Sequence, residues 1–233
     1  VNLNFSKLKP IVTSFSDNVD DGYMIATGGI SGGVGNTIQA FAKDQVLSSF
    51  YVYQQAYDAN GKPIDGVYVD RNNDGAINSS DKYFFHSPNP DAILGFSTKI
   101  TTGKWEFSTA LRAVLGNYVY NNAAANTSLA DVKSSGYNYL RNQEKSILTN
   151  QFSGFEYFSD LFIEDASFLR MDNLSVGYNF GDFLGNKKSN LRVTAMAQNV
   201  FVITKYTGVD PEVFGNIDNG FYQRPKVYSL GFN

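Results

Sequence analysis

The chain has 233 residues, with 42% hydrophobic, 15% aromatic and only 18% charged side chains, and a formal net charge of −3. That balance excludes a generally basic nucleic-acid binder. The absence of Cys and the single histidine, His86, exclude a disulfide framework, a thiolate metal centre, a cysteine nucleophile and a multi-histidine metal site. No apolar run approaches the ~18–20 residues of a transmembrane helix. No signal peptide opens the chain and Val1 is not an initiator Met, so a mature product or an internal fragment is expected. Abundant Tyr, Phe, Thr, Asn and Gly favour β structure. Composition alone fits both a soluble sandwich and a transmembrane barrel.

The first predicted strand is Val1, Leu3 and Phe5 alternating with Asn2, Asn4 and Ser6. A long connection follows, roughly Lys9–Asp91, and local hairpins are expected inside it. Its glycine cluster Gly28–Asn36 lacks the Lys-Ser/Thr of a phosphate-binding loop and reads as a flexible or tightly turning segment. The aromatic stretch Ser48–Tyr57 reads as an excursion outside the membrane, because a further single crossing would upset the order of long and short connections.

Asp70–Asp81 reads DRNNDGAINSSD, against the calcium-loop pattern D-x-[DN]-x-[DN]-G-x5-E. Asp70, Asn72 and Asp74 take its first three ligand positions. Gly75 takes the sharp turn, the Ala76 carbonyl the next position, and Asp81 replaces the closing Glu. These hard oxygen donors suit Ca²⁺. Two readings stay open, a structural Ca²⁺ and a turn rich in Asx residues that holds no metal. The strand-like Val67-Tyr68-Val69 before the loop argues against a helix–loop–helix EF-hand. His86, in FFHSPNPD, reads as a packed or solvated side chain rather than a catalyst.

Ala92–Thr102 alternates Leu94, Phe96, Thr98 and Ile100 with Gly95, Ser97, Lys99 and Thr101. A tight turn at Gly103 leads into Lys104–Gly116, with Trp105, Phe107, Thr109, Leu111, Ala113 and Leu115 on one parity and Glu106, Ser108, Ala110, Arg112 and Val114 on the other. Of the aromatics that follow, Tyr118 and Tyr120 are expected in a membrane-interface girdle. Tyr137, Tyr139, Phe152, Phe155, Tyr157 and Phe158 are expected to pack or to meet a partner. The carboxylate pairs Asp20-Asp21 and Glu164-Asp165 read as surface charge rather than glycosidase chemistry.

In Phe168–Phe180, Leu169 and Met171 lie on one parity and Leu174, Val176, Tyr178 and Phe180 on the other. A β-bulge near Asp172-Asn173 reconciles them. A turn at Gly181–Ser189 leads into Asn190–Ile203, which sets Leu191, Val193, Ala195 and Ala197 against Arg192, Thr194, Met196 and Gln198. Tyr228, Leu230 and Phe232 alternate in the last strand. About six long strands result, joined by alternately long and short connections, as in outer-membrane barrels.

GVYVDRNNDGAINSSDKYF, SPNPDAILGFSTKI, ASFLRMDNLSVGYNF, LRVTAMAQNVFVITKYTGVDPEV and RPKVYSLGFN occur in this order across nearly the whole chain. Together they resemble the C-terminal barrel portion of SusC/RagA-type TonB-dependent outer-membrane receptors. The D-x-N-x-D-G loop, the S-F-L-R-[ML]-x-N segment at Ser167–Asn173 and the Q-N-[VL]-F segment at Gln198–Phe201 carry the likeness.

The resemblance implies an all-β fold over residues 1–233: an antiparallel transmembrane β-barrel fragment, about the last six strands of a 22-stranded barrel, with long extracellular loops. The plug domain and earlier strands lie outside this chain. Relatives usually run a few residues past Phe232-Asn233, so a shortened last strand is expected. The family further implies a non-enzymatic importer in the outer membrane of a Gram-negative bacterium. It would be driven by TonB, capped by a SusD-like surface lipoprotein, and carry oligosaccharides or, in some members, peptides.

In that frame Glu106, Ser108 and Arg112 would line the lumen. Trp105, Phe107, Leu111, Leu174, Val176, Leu191 and Val193 would face lipid, with the remainder of the barrel supplied by further strands. The alternative is a soluble, Ca²⁺-stabilised β-sandwich that binds carbohydrate at the cell surface.

Overall fold

The structure, a computed structural model, describes residues 1–16, 19–20, 22–30, 35–130, 142–182 and 190–233. In chain order the strands are β1 (Asn2–Ser6), β2 (Met24–Gly29), β3 (Thr37–Ala42), β4 (Ser49–Val52), β5 (Gln55–Tyr57), β6 (Pro63–Tyr68) and β7 (Tyr83–Phe85). β8 (Ala92–Thr102), β9 (Trp105–Leu115), β10 (Tyr118–Tyr120), β11 (Ile163–Asp165), β12 (Phe168–Asp182), β13 (Asn190–Thr204) and β14 (Val227–Phe232) follow. Two short helices, α1 (Asn122–Asn126) and α2 (Ile147–Asn150), lie between β10 and β11. Among the described residues no helix is long and apolar enough to cross a membrane.

Six strands form one open antiparallel sheet in the order β1-β8-β9-β12-β13-β14. β8 and β9 have 11 residues each, and β12 and β13 have 15. Strands of 9–11 tilted residues suffice to cross a bilayer. β8 and β9 meet at a two-residue turn, with Thr102 opposite Trp105. Gly103 takes φ +57° there, the conformation a type II′ hairpin asks of its first residue.

Register sorts the side chains. Phe5, Leu94 and Ala113 lie opposite one another on successive strands, as do Ile100, Phe107 and Val176. Val176, Ala195 and Leu230 continue that face to the last strand. Leu3, Phe5, Ile100, Trp105, Phe107, Leu174, Leu230 and Phe232 on this apolar face are all exposed. The opposite face carries Asn4 and Gly95, Glu106 and Gly177, and Thr194 and Gly231.

The expected bulge is present. Met171 pairs with Leu111 and Asn173 with Ala110, so Asp172 is the extra residue. It places Leu169 and Met171 on the same face as Leu174 and Val176. Against β13 the same break sets Met171 opposite Phe201 and Asn173 opposite Gln198. Asn199, one of the two residues skipped, has φ +50°.

The three long connections do not hang separately. β2, β3, β4 and β7 form a four-stranded sheet, while β5–β6 and β10–β11 form two-stranded pairs. Ser48–Tyr57 falls in this outer module and not in the long sheet. One buried cluster joins Ile38, Phe50 and Val52 from the first connection, Tyr120 and Phe152 from the second, and Ile217 from the third.

Two aromatic residues are corrected by this packing. Tyr120 is fully buried and its hydroxyl donates to the Tyr157 carbonyl. Tyr118 packs against the same core with its ring stacked on His86, 3.7 Å between centroids. Neither sits in a membrane-interface girdle, because the loop core claims both. Phe152, Tyr157 and Phe158 pack as expected. Tyr137, Tyr139, Asp21, the centre of the glycine cluster (31–34) and most of the Gly181–Ser189 turn lie outside the described residues.

Candidate functional site

The polar face has two charged centres separated by small side chains. Nearer the Gly103 turn, Glu106 accepts from Lys99 at 3.1 Å and from Arg192 at 2.5 Å, tying β8, β9 and β13. In the middle, Ser108 and Ser175 hydrogen-bond across β9 and β12 at 3.2 Å. Glu106, Ser108 and Arg112 therefore share one face, as the alternation predicts.

At the looped end Arg112 enters a larger cluster. Its guanidinium donates to both oxygens of Glu212, at 2.6 and 3.0 Å, and reaches Asp172 at 3.4 Å. Arg170, opposite Arg112 on β12, is buried and donates to Asp210 at 2.5 Å and to the Asn199 side chain at 2.7 Å. Arg224 reaches Glu212 at 3.0 Å. In this cluster of three arginines and three carboxylates, the Arg112–Glu212 and Arg170–Asp210 pairs hold the β13–β14 connection to the wall.

Phe168 lies beneath both Arg112 and Arg170, 5.6 and 5.5 Å from its ring. That contact, with burial under the loop, explains an aromatic residue on the polar face. Burial alone would raise the pKa of Glu212, but hydrogen bonding and charge attraction from Arg112, with Arg224 and Arg170, hold it below the ordinary value.

Sequence reasoning does not single out Arg170, Asp210 or Glu212. A signal exists: Arg170 stands on the polar parity inside the otherwise apolar FLRM. Its partners lie 29 residues or more away in sequence, where no periodicity connects them.

The Asp70–Asp81 loop is closed by its own hydrogen bonds. Asp70 accepts from the amides of Asp74 and Gly75 at 3.3 and 2.8 Å. Asn72 Oδ1 accepts from the Asp74 amide at 3.0 Å, and Asp74 accepts from the Ala76 amide at 2.9 Å. The Ala76 carbonyl receives the Asn78 side-chain amide at 3.1 Å. Asp81 is buried beneath the loop and accepts from the backbone amide of Asn78, the N-cap of a short 3₁₀ turn. Amide donors from Asn78, then Arg71 and Asn72, hold its pKa below the ordinary value against the cost of burial.

The donor set has the hard-oxygen chemistry of a Ca²⁺ loop. Among the described residues, however, no three acidic or histidine side chains converge on a point that could hold a metal.

Other acidic residues act as fasteners. Glu164 accepts from the Asn121 side chain and from the Thr207 amide and hydroxyl, and Asp165 accepts from the Ser167 amide. Glu156 accepts from the Gly66 amide and the Tyr68 hydroxyl, and Asp160 from the Gln55 amide and the Tyr83 hydroxyl. His86 stacks on Tyr118 with φ +54°, and burial lowers its pKa.

A long-stranded antiparallel sheet, bare and apolar on one face, ion-paired on the other, tightly turned at one end and heavily looped at the other, is a segment of outer-membrane-type β-barrel wall. No protein-family model matches the chain. It is 40% identical over 230 residues to the TonB-dependent receptor SusC of Bacteroides thetaiotaomicron, covering 95% of this chain and 23% of that protein. It is 22% identical over 237 residues to the TonB-dependent receptor P3 of Formosa agariphila, covering 84% of this chain and 23% of that protein.

In fold it matches the structure of the RagAB peptide transporter with a TM-score of 0.77 and 21% identity, over 99% of this chain and 26% of that one. The same importer in its closed-closed state gives a TM-score of 0.76 at 22% identity. The chain belongs to the SusC/RagA-type TonB-dependent receptors, as a C-terminal part of the barrel. It spans about a quarter of the length of the curated relatives it matches.

Proposed function

We propose that this chain forms part of the wall and outer loops of a barrel importing oligosaccharides across the outer membrane of a Gram-negative bacterium, with energy from TonB. The observation that carries the proposal is the two-faced sheet. Its exposed apolar side chains would meet lipid, and Glu106, Ser108 and the outer cluster containing Arg112 would line the lumen. The 40% identity to SusC supports nutrient import.

A SusD-like surface lipoprotein is the partner this reading expects over the loop module, and further strands of the same barrel would pair with the open edges of β1 and β14. In the same reading the Asp70–Asp81 loop would take Ca²⁺ as a structural ion by drawing Asp70, Asn72, Asp74, the Ala76 carbonyl and Asp81 together out of the hydrogen bonds that now close the loop. The soluble-sandwich reading requires a second sheet over the apolar face, and the described residues supply none.

Uptake of labelled neutral oligosaccharides and of oligopeptides, by cells with and without the full receptor and with and without TonB, tests the proposal. TonB-dependent oligosaccharide uptake that vanishes with the receptor is expected. Uptake of peptides alone would reassign the substrate, and uptake indifferent to TonB would refute active import.

A further inference from the structure

The β13–β14 connection, residues 205–226, does not simply run outward from the strand ends. Glu212 reaches Arg112 on β9, two strands across the sheet from β13. Asp210 reaches Arg170 on β12. Both arginines belong to the polar face. Arg112 stands three residues below the end of β9, which is about 10 Å at ~3.3 Å per residue. The loop is therefore folded back over the polar face.

Its other side is fastened to the outer module. The Asn216 side chain donates to the Pro88 and Tyr118 carbonyls at 3.0 and 3.2 Å, and the Asp218 amide donates to the Tyr120 carbonyl at 2.9 Å. Gly215 and Asn216 both have left-handed φ, 70° and 56°.

This doubly clamped loop displays aromatic rings that it does not bury. Within this chain, which spans about a quarter of its relatives' length, Phe214 is 96% exposed, Tyr222 101% and Phe221 53%. With Val213 they line a cleft of about 150 Å³ whose remaining walls are Asp210, Glu212, Asp218 and Arg224. The charges at its rim are largely compensated: Asp210 by Arg170, and Glu212 by Arg112 and Arg224. Asp218 accepts from the Tyr206 hydroxyl and the Gly220 amide.

Such a cleft offers ring faces for stacking and oxygen lone pairs for hydroxyl donors, with no unopposed cation to select an anionic ligand. That combination suits a neutral sugar, whose C–H face is apolar and whose rim is hydroxylated.

We propose that the folded-back loop forms a sugar-stacking subsite on the import path, with Phe214, Phe221 and Tyr222 as its platform. The proposal rests on the oligosaccharide-import reading above.

The test uses the full receptor, purified from membranes, and fluorophore-labelled neutral hexasaccharides of glucan, fructan, mannan and xylan type. Phe214→Ala and Tyr222→Ala should each weaken binding of whichever hexasaccharide the wild type takes up by tenfold or more. Tyr222→Phe, which keeps the ring, should stay within threefold. Heat-modifiable gel mobility reports the folded fraction. Unchanged affinity in both alanine variants overturns the subsite. So does a lowered melting temperature with unchanged affinity per folded receptor, which would mean that the rings pack against another part of the barrel. A wild-type receptor that binds none of the hexasaccharides but takes up peptides overturns the import reading itself.

Discussion

Arg170→Met is the most informative single change at the outer cluster. The Arg170 side chain is 2% exposed and that of Asp210 is 11% exposed. Removing the guanidinium leaves the Asp210 carboxylate enclosed with the Glu212 amide, at 3.0 Å, as its remaining described donor. Breaking a buried ion pair from one side costs about 3–5 kcal/mol. At ~1.4 kcal/mol per tenfold, the loop's open population should rise by about two to three and a half orders of magnitude.

The wall strands keep their ladders, so the effect should be local. Tryptic cleavage after Lys205 in the folded full receptor reads it directly, because cleavage follows the open population when reclosing is fast. The control is Arg170→Met combined with Asp210→Asn. Removing both charges should recover much of the loss, with a coupling of about 2–3 kcal/mol between the two sites. Cleavage of Arg170→Met within threefold of wild type would refute the clamp. Strict additivity in the double variant would refute the pairing.

Four further outcomes follow. Leu111→Arg, on the apolar face between Phe96 and Met171, should impair assembly by about 2–4 kcal/mol near the bilayer midplane. Assembly equal to wild type, measured by heat-modifiable mobility, would invert the facing. Tyr120→Phe removes the hydrogen bond to Tyr157 and should cost about 1 kcal/mol, and Tyr120→Ala about 3–5 kcal/mol. Protease resistance of the outer module checks both, and a girdle residue would leave it unaffected. Ca²⁺ should slow tryptic cleavage after Arg71, chelation should reverse this, and Asp74→Ala should abolish the response; equal rates with and without Ca²⁺ would remove the ion from the loop. Because the Glu212 pKa is depressed in the fold, its contribution is fully present above the unfolded value of about 4.3 and is lost as pH falls through the folded value. Cleavage after Lys205 by an acid-active protease mixture should therefore be flat from pH 7 to 5 and rise only below about pH 4. A rise near pH 6 would point to another group.

The wall was legible in the sequence because a strand writes its burial with period 2. Leu3 and Phe5, or Phe107 and Leu111, could be assigned to one face without knowing a single contact. Even the Asp172 bulge was visible, since keeping Met171 and Leu174 on one face of a continuous strand requires an extra residue between them. The loop module was less legible. Tyr118 and Tyr120 also alternate, yet β10 is only three residues long. Its burial is decided by packing with Ile38 and Ile217, which arrive from other connections. Short loop strands take their environment from tertiary packing, and local pattern is silent there. Arg170 illustrates the same limit, since its position was readable but its partners were not.

The acidic residues of the loops show why chemistry in this molecule is better sought among its rings than its carboxylates. Glu156, Asp160 and Glu164 accept hydrogen bonds from backbone amides or side chains of other segments, and Asp165 accepts from the neighbouring Ser167 amide. Asp70, Asp74 and Asp81 close their own turn. A carboxylate committed in this way stabilises a loop because an unsatisfied buried amide is costly.

The rings divide differently. Tyr120, Phe152 and Phe162 are consumed by the core, whereas Phe214, Phe221 and Tyr222 stand outside it on a backbone fixed from both sides. Rigidity there is what recognition requires, because a platform already held in place loses little conformational entropy when a ligand settles on it. The charge cluster that clamps residues 205–226 to Arg112 and Arg170 and the exposed rings carried by the same segment are thus two parts of one arrangement. Loosening the clamp with Arg170→Met should weaken sugar binding even with every aromatic residue intact.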